Sequence, residues 1–304
     1  MLRVGADVTV LDLPTADWTR FPAGVQAVKA DILEEQSLRG VFDTIDIVYH
    51  LAARTDLDGK SVNDYKVNSE GTKNVLEESV RTRIPERFVF YSTHLVVGVF
   101  NETRFIEENE PYKTKTPYGE SKIAGEEAVR DLCHQAGLAY TIIRPTSVYG
   151  PWGGTPYREF FRAIKSRRYF HVGKAANLVS WVYVKNLVDL TVLASLSDQA
   201  VDQVFFGNDF NPYTMRQIVD TVGRYYGISV PTVPSSLITG IAYTLGLAKA
   251  LGADVPIYPF RLRNIKANYC YDIQKSLRIG YDPGYGLSQG IQETLDWYEA
   301  NKLI

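Results

Sequence analysis

The stretch ADVTVLDLP (6–14) determines how the rest of the chain is interpreted. It is mostly apolar up to Asp12, and Pro14 cannot continue a strand. The pattern predicts a buried parallel strand with a carboxylate at its carboxyl end. In open α/β sheets such a carboxylate usually belongs to a ligand site whose other half is a glycine-rich turn just upstream. MLRVGA (1–6), with Gly5 in the place of a helix stop, is typical of the last turn of the helix that follows such a turn.

Strand-like and helix-like segments then alternate along the first half of the chain. The alternation predicts a parallel sheet with helices on both faces, an α/β fold of the doubly wound type. The predicted strands cover 25–32, 46–53, 87–93 and 139–151, and the predicted helices cover 61–82 and 118–136.

From about residue 151 the pattern loosens, and glycine, proline and tyrosine become frequent. We expect residues 1–150 to form the main domain and residues 151–304 to form a smaller substrate lobe. The lobe should rest on the carboxyl ends of the strands, where ligands of open α/β sheets bind. The segment from about 178 to 197 is expected to return to the main domain.

The composition excludes some classes of protein. The formal net charge is −2 over 304 residues, which argues against a nucleic-acid binder. Cys133 and Cys270 lie far apart and have no metal-ligand spacing, so we predict no metal site and a reducing, cytoplasmic location.

The longest apolar stretch, residues 236–252, is too short to span a membrane and contains Lys249. It is either a membrane-surface helix or a packed helix of the C-terminal part, and we favour the packed helix.

The chemistry-bearing motif is TPYGESK (116–122), which places Tyr118 and Lys122 four residues apart near the start of a helix. This spacing puts both side chains on one helix face. A phenol has a pKa of about 10 and needs a neighbouring cation to act as a base, and Lys122 would supply that cation. The preceding strand ends in Ser92 and Thr93, whose hydroxyls can hold a substrate oxygen. The alternatives are a surface tyrosine with a solvated lysine, and polar residues that only cap a strand.

Two further strand ends suit a flat cofactor. HLAA (50–53) ends a strand in small residues, which lets a ring lie against the backbone. KADI (29–32) places Asp31 where its carboxylate can accept a hydrogen bond from an adenine amino group. Either segment could also be an ordinary turn.

The motifs follow the order of a known superfamily. VLDL, ADI, YHLAA, YKVNSEGTKNVL, FVFYST, TPYGESK and IIRPTSVYGP resemble the extended short-chain dehydrogenase/reductases, with a Rossmann-type doubly wound sheet. The chain looks closest to the NAD-dependent epimerase/dehydratase group, which acts on nucleotide sugars. SWVYVKNLVDLTVLA is also similar to the 3β-hydroxysteroid dehydrogenase branch.

The resemblance implies NAD as the cofactor and a role for each matching residue. Tyr118 would be the acid/base, Lys122 would hold the nicotinamide ribose and lower the pKa of Tyr118, and Thr93 would bind the reacting oxygen. Asp12 is followed by no arginine, which favours NAD over NADP. The implied cofactor-binding residues are Asp12, Asp31, Ile32, Leu51, Ala52, Ala53, Asn68, Tyr118, Lys122, Pro145 and Thr146.

Two departures from the family pattern matter. His94 and Leu95 follow Thr93 where the dehydratases carry an Asp-Glu pair, so we do not expect dehydration. The first strand, the glycine-rich turn and most of the first helix, about 25 residues, are missing from the printed sequence. That turn would present backbone N–H groups to the pyrophosphate, so we expect the printed chain to bind NAD weakly or not at all.

Residues on the substrate side are Thr93, Tyr149, Arg261 and Arg263, and a nucleotide diphosphate needs an arginine fork of this kind. Arg167 and Arg168 are alternatives, as is the possibility that the arginines are only solvated.

The sequence therefore predicts an NAD-dependent nucleotide-sugar epimerase or reductase resembling the UDP-sugar 4-epimerases. The alternatives are a 3β-hydroxysteroid-dehydrogenase-like oxidoreductase and a non-catalytic fragment. The family also implies a homodimer that pairs through the helices at 61–82 and 118–136.

Overall fold

The computed structural model describes residues 5–84, 86–98, 104–210, 212–250 and 267–304. The side chains of residues 246–250 are not part of this description.

Four parallel strands form the centre of the main lobe. They are β3 (Ile47–His50), β4 (Arg87–Tyr91), β5 (Tyr140–Pro145) and β10 (Gln203–Gly207). Their spatial order is β10, β5, β4 and β3. Strand β4 is buried on both faces, with Phe88 and Phe90 on one side of the sheet and Val89 on the other. Burial on both faces is typical of a strand inside a parallel sheet that helices cover on both sides.

Helices cover both faces of this sheet. Helices α1 (Thr72–Thr82) and α2 (Pro117–Ala136) enclose the core that holds Phe88 and Phe90, whereas α4 (Val184–Leu196) encloses the core that holds Val89. The prediction of an α/β, doubly wound parallel sheet is confirmed. The start of helix α2 is fixed by two local signals: the Thr116 hydroxyl accepts a hydrogen bond from the Gly119 amide, and proline occupies the first turn.

Strands β1 (Val8–Asp12) and β2 (Val25–Lys29) form a separate parallel pair. Leu11 and Val28 pack against the same core as Phe88. No described strand pairs with the second edge of β1 or with the outer edge of β3. The prediction that β1 is buried is wrong for this structure: its residues are half-buried and Asp12 is exposed, because the strand has a neighbour on one side only.

The smaller lobe has an aromatic core between two short strands and three helices. Tyr149, Trp181, Tyr183, Phe161 and Tyr298 are its largest buried members. Its elements are β6 (Ser147–Tyr149), β9 (Trp181–Tyr183), α3 (Thr155–Lys165), α5 (Met215–Tyr225) and α8 (Leu287–Ala300).

The segment from 178 to 197 contributes to both lobes. Trp181 and Tyr183 belong to the aromatic core, and Leu187 and Ala194 of α4 pack on the main sheet. The proposed division at residue 150 stays a prediction.

The remaining described strands and helices are short strands and two further helices. They are β7 (His171–Val172), β8 (Leu178–Val179), β11 (Tyr213–Thr214), β12 (Thr232–Val233), α6 (Ser235–Ala250) and α7 (Gln274–Arg278). Among the described residues, no helix is long and apolar enough to cross a membrane.

Buried backbone groups without hydrogen-bond partners are costly, so we expect a further strand to pair with the free edges of β1 and β3 in solution. Hydrogen–deuterium exchange should then be slow at all amides of Val8–Asp12 and Ile47–His50. The outer edge of β2 (Val25–Lys29) serves as the control, since it remains a sheet edge. Exchange in β1 and β3 as fast as at that edge would contradict the prediction.

Candidate active site

The carboxyl ends of the parallel strands meet the first turns of α2 at one edge of the sheet. Thr93 follows β4 directly, and Tyr118 lies in the first turn of α2. Pro145 ends β5, so Thr146 lies at the same edge. This edge is where ligands of open α/β sheets bind.

The side chains of Tyr118 and Thr93 lie close together, and the Thr93 hydroxyl favours the ionised form of the phenol. Their side chains are almost fully buried, with 7% and 6% of the residue surface exposed. Burial raises the pKa of Tyr118 to about 12, and the Thr93 hydroxyl acts in the opposite direction. The ring of Tyr65 lies 5.8 Å from the Tyr118 ring, centroid to centroid, and closes one side of the site.

Lys122 lies one turn further along α2 and is 2% exposed. Its Nζ donates a hydrogen bond of 2.8 Å to the backbone carbonyl of Tyr91 and sits 5.0 Å from the centroid of the Phe90 ring. Burial lowers the pKa of Lys122 to about 8, although the carboxylate of Glu126 acts in the opposite direction.

The expected lowering of the Tyr118 pKa is not what the structure shows. The pKa of Tyr118 is raised, and no hydrogen bond joins the phenol to the Lys122 ammonium, which is directed at the Tyr91 carbonyl. Desolvation of the phenol is the largest cause of the shift, and Lys122 does not offset it.

Behind Lys122, Glu126 forms a buried network that the sequence analysis did not identify. Glu126 is 0% exposed and accepts five hydrogen bonds. Ser92 Oγ (2.5 Å) and Arg144 Nε (2.8 Å) donate to its Oε1. Tyr112 Oη (2.9 Å), Arg130 Nη2 (2.9 Å) and Arg144 Nη2 (2.8 Å) donate to its Oε2.

This network ties α2 to the ends of β4 and β5, because Ser92 follows β4 and Arg144 lies within β5. The pKa of Glu126 is lowered: burial alone would raise it, but Arg144 and Ser92 favour the carboxylate. The network also distinguishes the two hydroxyl residues that were predicted to hold a substrate oxygen. Ser92 is hydrogen-bonded to Glu126, whereas Thr93 lies close to Tyr118. An arginine inside the apolar strand TIIRP (141–145) was the available signal, because a buried arginine needs an acidic partner.

Asn68 lies in a π-helical turn (Val67–Gly71) and is fully buried. Its amide nitrogen donates to the Arg54 carbonyl and to Ser121 Oγ, and its oxygen accepts from the Arg54 amide. Asn68 therefore fastens the loop after β3 to α2. Contact with a cofactor stays a prediction that these engaged groups do not support.

The adenosine end of a dinucleotide fits the residues at β1 and β2. One carboxylate oxygen of Asp12 accepts from the Leu13 amide and one of Asp31 accepts from the Leu33 amide, which leaves the second oxygen of each without a described partner. Ile32 is 5% exposed and belongs to the core, so a cofactor would meet its backbone at most.

Other predicted cofactor residues differ in exposure. Leu51 is 54% exposed and Ala52 is exposed as well, whereas Ala53 is half-buried beside them at the end of β3. Pro145 is half-buried, and Thr146 is buried and donates its hydroxyl to the Gly207 carbonyl.

The side chains at these strand ends thus suit the adenosine and nicotinamide ends of NAD better than its pyrophosphate. Carboxylates lie where the adenosine end of NAD would bind, and Lys122, Thr93 and Tyr118 lie where its nicotinamide end would bind. The printed sequence contains neither G-x-x-G-x-x-G nor G-x-G-x-x-G, the pattern that cradles a pyrophosphate. Weak binding of NAD by the printed chain stays a prediction.

The predicted substrate residues are less well placed. Tyr149 is 0% exposed and packs against Trp181 and Tyr183 in the aromatic core, so substrate contact by its ring is not supported. Arg261 and Arg263 lie outside the described residues. His94 is half-buried and pairs with the carbonyl of Pro145 at 3.0 Å, which suits a wall residue.

Glu126→Gln tests the network, and Glu127→Gln on the exposed side of the same helix is the control. The first change removes the charge that compensates buried Arg144 and should lower the free energy of unfolding by about 3 kcal/mol. The control should change it by less than about 0.5 kcal/mol. Urea unfolding provides the measurement.

The pH dependence follows from the lowered pKa of Glu126. A carboxylate with a lowered pKa in the folded state stabilises the fold above its unfolded pKa and loses this effect as the pH falls through its folded pKa. The difference between wild type and Glu126→Gln should therefore be constant near neutral pH and shrink in acid. A difference that is independent of pH would contradict the ion-pair account.

Comparisons with known proteins agree with this geometry. A 3beta-hydroxysteroid-dehydrogenase/decarboxylase (isoform 1) of Arabidopsis thaliana is 27% identical over 91% of this chain and 68% of its own length. The N-acetyl-alpha-D-glucosaminyl-diphospho-ditrans,octacis-undecaprenol 4-epimerase of Escherichia coli O157:H7 is 27% identical over 96% of this chain and 88% of its own.

Among solved structures, the UDP-glucose 4-epimerase of Thermus thermophilus in complex with NAD shares the fold, with a TM-score of 0.75 and 23% identity. The match covers 98% of this chain and 93% of that chain. A sequence model of the NAD dependent epimerase/dehydratase family matches residues 1–211 of this chain. With more than two thirds of its 304 residues covered by that match, the chain belongs to the NAD-dependent epimerase/dehydratase family, whose enzymes are of the extended short-chain dehydrogenase/reductase type.

Proposed function

We propose that the protein catalyses reversible hydride and proton transfer at a secondary alcohol carbon, with NAD as the cofactor. The observation that carries this proposal is the buried pair of Tyr118 and Thr93, which lie close together at the strand ends, one helical turn from the buried Lys122 ammonium. Each of these groups has a use in such a reaction, and no other chemistry is suggested by this combination.

The residues of this chain carry out the proton transfer of the reaction. Thr93 Oγ holds the substrate oxygen beside Tyr118 Oη, which takes the proton from a substrate hydroxyl on oxidation and returns it on reduction. The pKa of about 12 keeps Tyr118 protonated at neutral pH, so it is ready to donate to a carbonyl oxygen. The oxidation direction requires the minor phenolate form, which the positive charges of Lys122 and of a bound nicotinamide ring would favour. When bound, NAD would supply the hydride acceptor. Lys122, with a pKa of about 8, is largely charged at pH 7 and would hold the ribose hydroxyls.

We favour a nucleotide-activated sugar as the substrate and a 4-epimerase-like reaction. The UDP-glucose 4-epimerase fold and the relative named as an undecaprenol-linked sugar 4-epimerase support this choice. Thr93 is followed by His94 and Leu95, which supply no carboxylate for an elimination, so the sugar should not lose water. A reductase of the same substrates is consistent with the same residues.

The second candidate is a 3β-hydroxysteroid-dehydrogenase-like oxidoreductase. It is favoured by the Arabidopsis relative and by relatives in Candida albicans and Mycobacterium tuberculosis that are named as sterol or steroid 3-dehydrogenases. Both candidates use the same proton transfer but differ in the molecule that occupies the second lobe. They also differ in the fate of the hydride, which an epimerase returns to the substrate and a dehydrogenase leaves on the cofactor. A non-catalytic fragment is the third possibility, and it predicts no turnover with either substrate.

We also expect a homodimer that pairs through α1 and α2, located in the cytoplasm. The reducing location agrees with Cys133 and Cys270, which are both free thiols in the structure.

Tyr118→Phe should reduce kcat by about 10²- to 10⁴-fold, because the phenol hydroxyl that carries the proton is removed. Tyr91→Phe is the matched control. Its hydroxyl is also largely buried, but it bonds to Thr191 at 2.6 Å on the other face of the sheet. Steady-state kinetics with UDP-glucose and with a 3β-hydroxysteroid would identify the substrate class. Equal rates for Tyr118→Phe and wild type would exclude the proposed role.

A further inference from the structure

Helix α6 (Ser235–Ala250) exposes large apolar side chains on its outer face: Leu237 and Ile241 lie along one flank and Tyr243 along the other, with Ser236, Gly240 and Thr244 exposed between them. Leu237, Ile241 and Tyr243 are 55%, 40% and 64% exposed. Residues 235–248 contain no charged side chain. A surface helix of a globular protein normally carries charged and polar residues on its outer face. Large exposed apolar groups that lie together mark an interaction site more often than single ones do.

The orientation of this face is fixed by the other side of the helix. Ile238 and Ala242 are buried and pack against Phe170, Val172 and Val233. Leu237 and Ile241, four residues apart, share the outward side.

Three basic residues flank β7, which pairs with the strand that leads to the start of the helix: Lys174 follows it next to Gly173, and Arg167 and Arg168 precede it by three to four residues. Strand β7 (His171–Val172) pairs with β12, which leads into α6, and a Cβ on Gly173 would lie 3.3 Å from the Cβ of Ser235. Arg167, Arg168 and Lys174 flank β7, are exposed, and make no ion pair with any described residue. We call these three side chains the basic rim.

The remaining charged groups near β7 are already engaged. Arg216 donates to the backbone carbonyls of Gly173 and Lys174, and Asp220 accepts from His171 at 2.8 Å. The basic rim is therefore not neutralised by the elements packed against it.

We propose that the outer face of α6 and the basic rim together dock the protein on the surface of an anionic lipid bilayer. Apolar side chains that enter the boundary between headgroups and acyl chains, beside cations that meet anionic headgroups, are the two components of interfacial helix binding. A second copy of the chain fits less well, because a two-fold contact would bring one basic rim against another. The inference does not depend on the proposed catalytic activity.

The test is flotation of the full-length protein with two kinds of vesicle, phosphatidylcholine alone and phosphatidylcholine with phosphatidylglycerol. Binding to the anionic vesicles should exceed binding to the neutral ones by on the order of a hundredfold, because three cations contribute. The excess should fall as the salt concentration rises.

Two sets of variants separate the two components. Leu237→Asn with Ile241→Asn should abolish binding to both vesicles, and Arg167→Gln, Arg168→Gln and Lys174→Gln together should remove only the anionic preference. Leu196→Asn is the control for the apolar change, since Leu196 is 64% exposed at the end of α4. It should bind like wild type.

Three results would overturn the proposal. They are equal binding to both vesicles by wild type, binding that neither set of variants changes, and no binding at all. In the last case, light scattering and thermal unfolding of the Leu237→Asn, Ile241→Asn variant show what covers the face instead. A lower molar mass than wild type would indicate a second copy, and a lower unfolding midpoint would indicate another segment of the same chain.

Discussion

The buried pair of Glu126 and Arg144 is the interaction on which the site depends. Tyr118, Lys122 and Glu126 are successive residues at spacing four on α2, so they share one face of the helix. Fixing Glu126 to Arg144 of β5 and to Ser92 after β4 fixes the position of the whole face. Breaking such a pair on one side leaves an uncompensated buried charge, which is strongly destabilising. The position of Tyr118 beside Thr93 is therefore secured by residues that do not touch the substrate.

Much of the fold could be predicted from the sequence because its signals are local. Apolar runs such as FVFY (88–91) must be buried on both faces, and the strict alternation with helices leaves few arrangements besides a parallel sheet. The predicted start of α2 at residue 118 lies one residue from the observed start at Pro117, where Thr116 caps the helix. The meeting of Tyr118 and Thr93 follows from the same logic, since parallel strands bring their carboxyl ends to one edge.

What the sequence did not predict depends on three-dimensional neighbours. In the sequence, Glu126 is one of several acidic residues on an amphipathic helix. Its role becomes evident only in the structure, where β5 places Arg144 against it. The raised pKa of Tyr118 results from burial, which no spacing of residues reveals. Tyr149 was expected at the substrate, but Trp181 and Tyr183 from distant parts of the chain enclose it. The half-burial of β1 likewise depends on which strands stand beside it.

The central claim is that hydride leaves the carbon whose hydroxyl proton goes to Tyr118. The most direct measurement follows deuterium placed on that carbon, in UDP-glucose at C4 or in a 3β-hydroxysteroid at C3, with the full-length protein and NAD in ordinary water. The account predicts that deuterium moves to the nicotinamide or returns to the same carbon, and that none is exchanged with solvent. Replacement of deuterium by solvent hydrogen would mean that the carbon loses a proton instead of a hydride, and it would contradict the account.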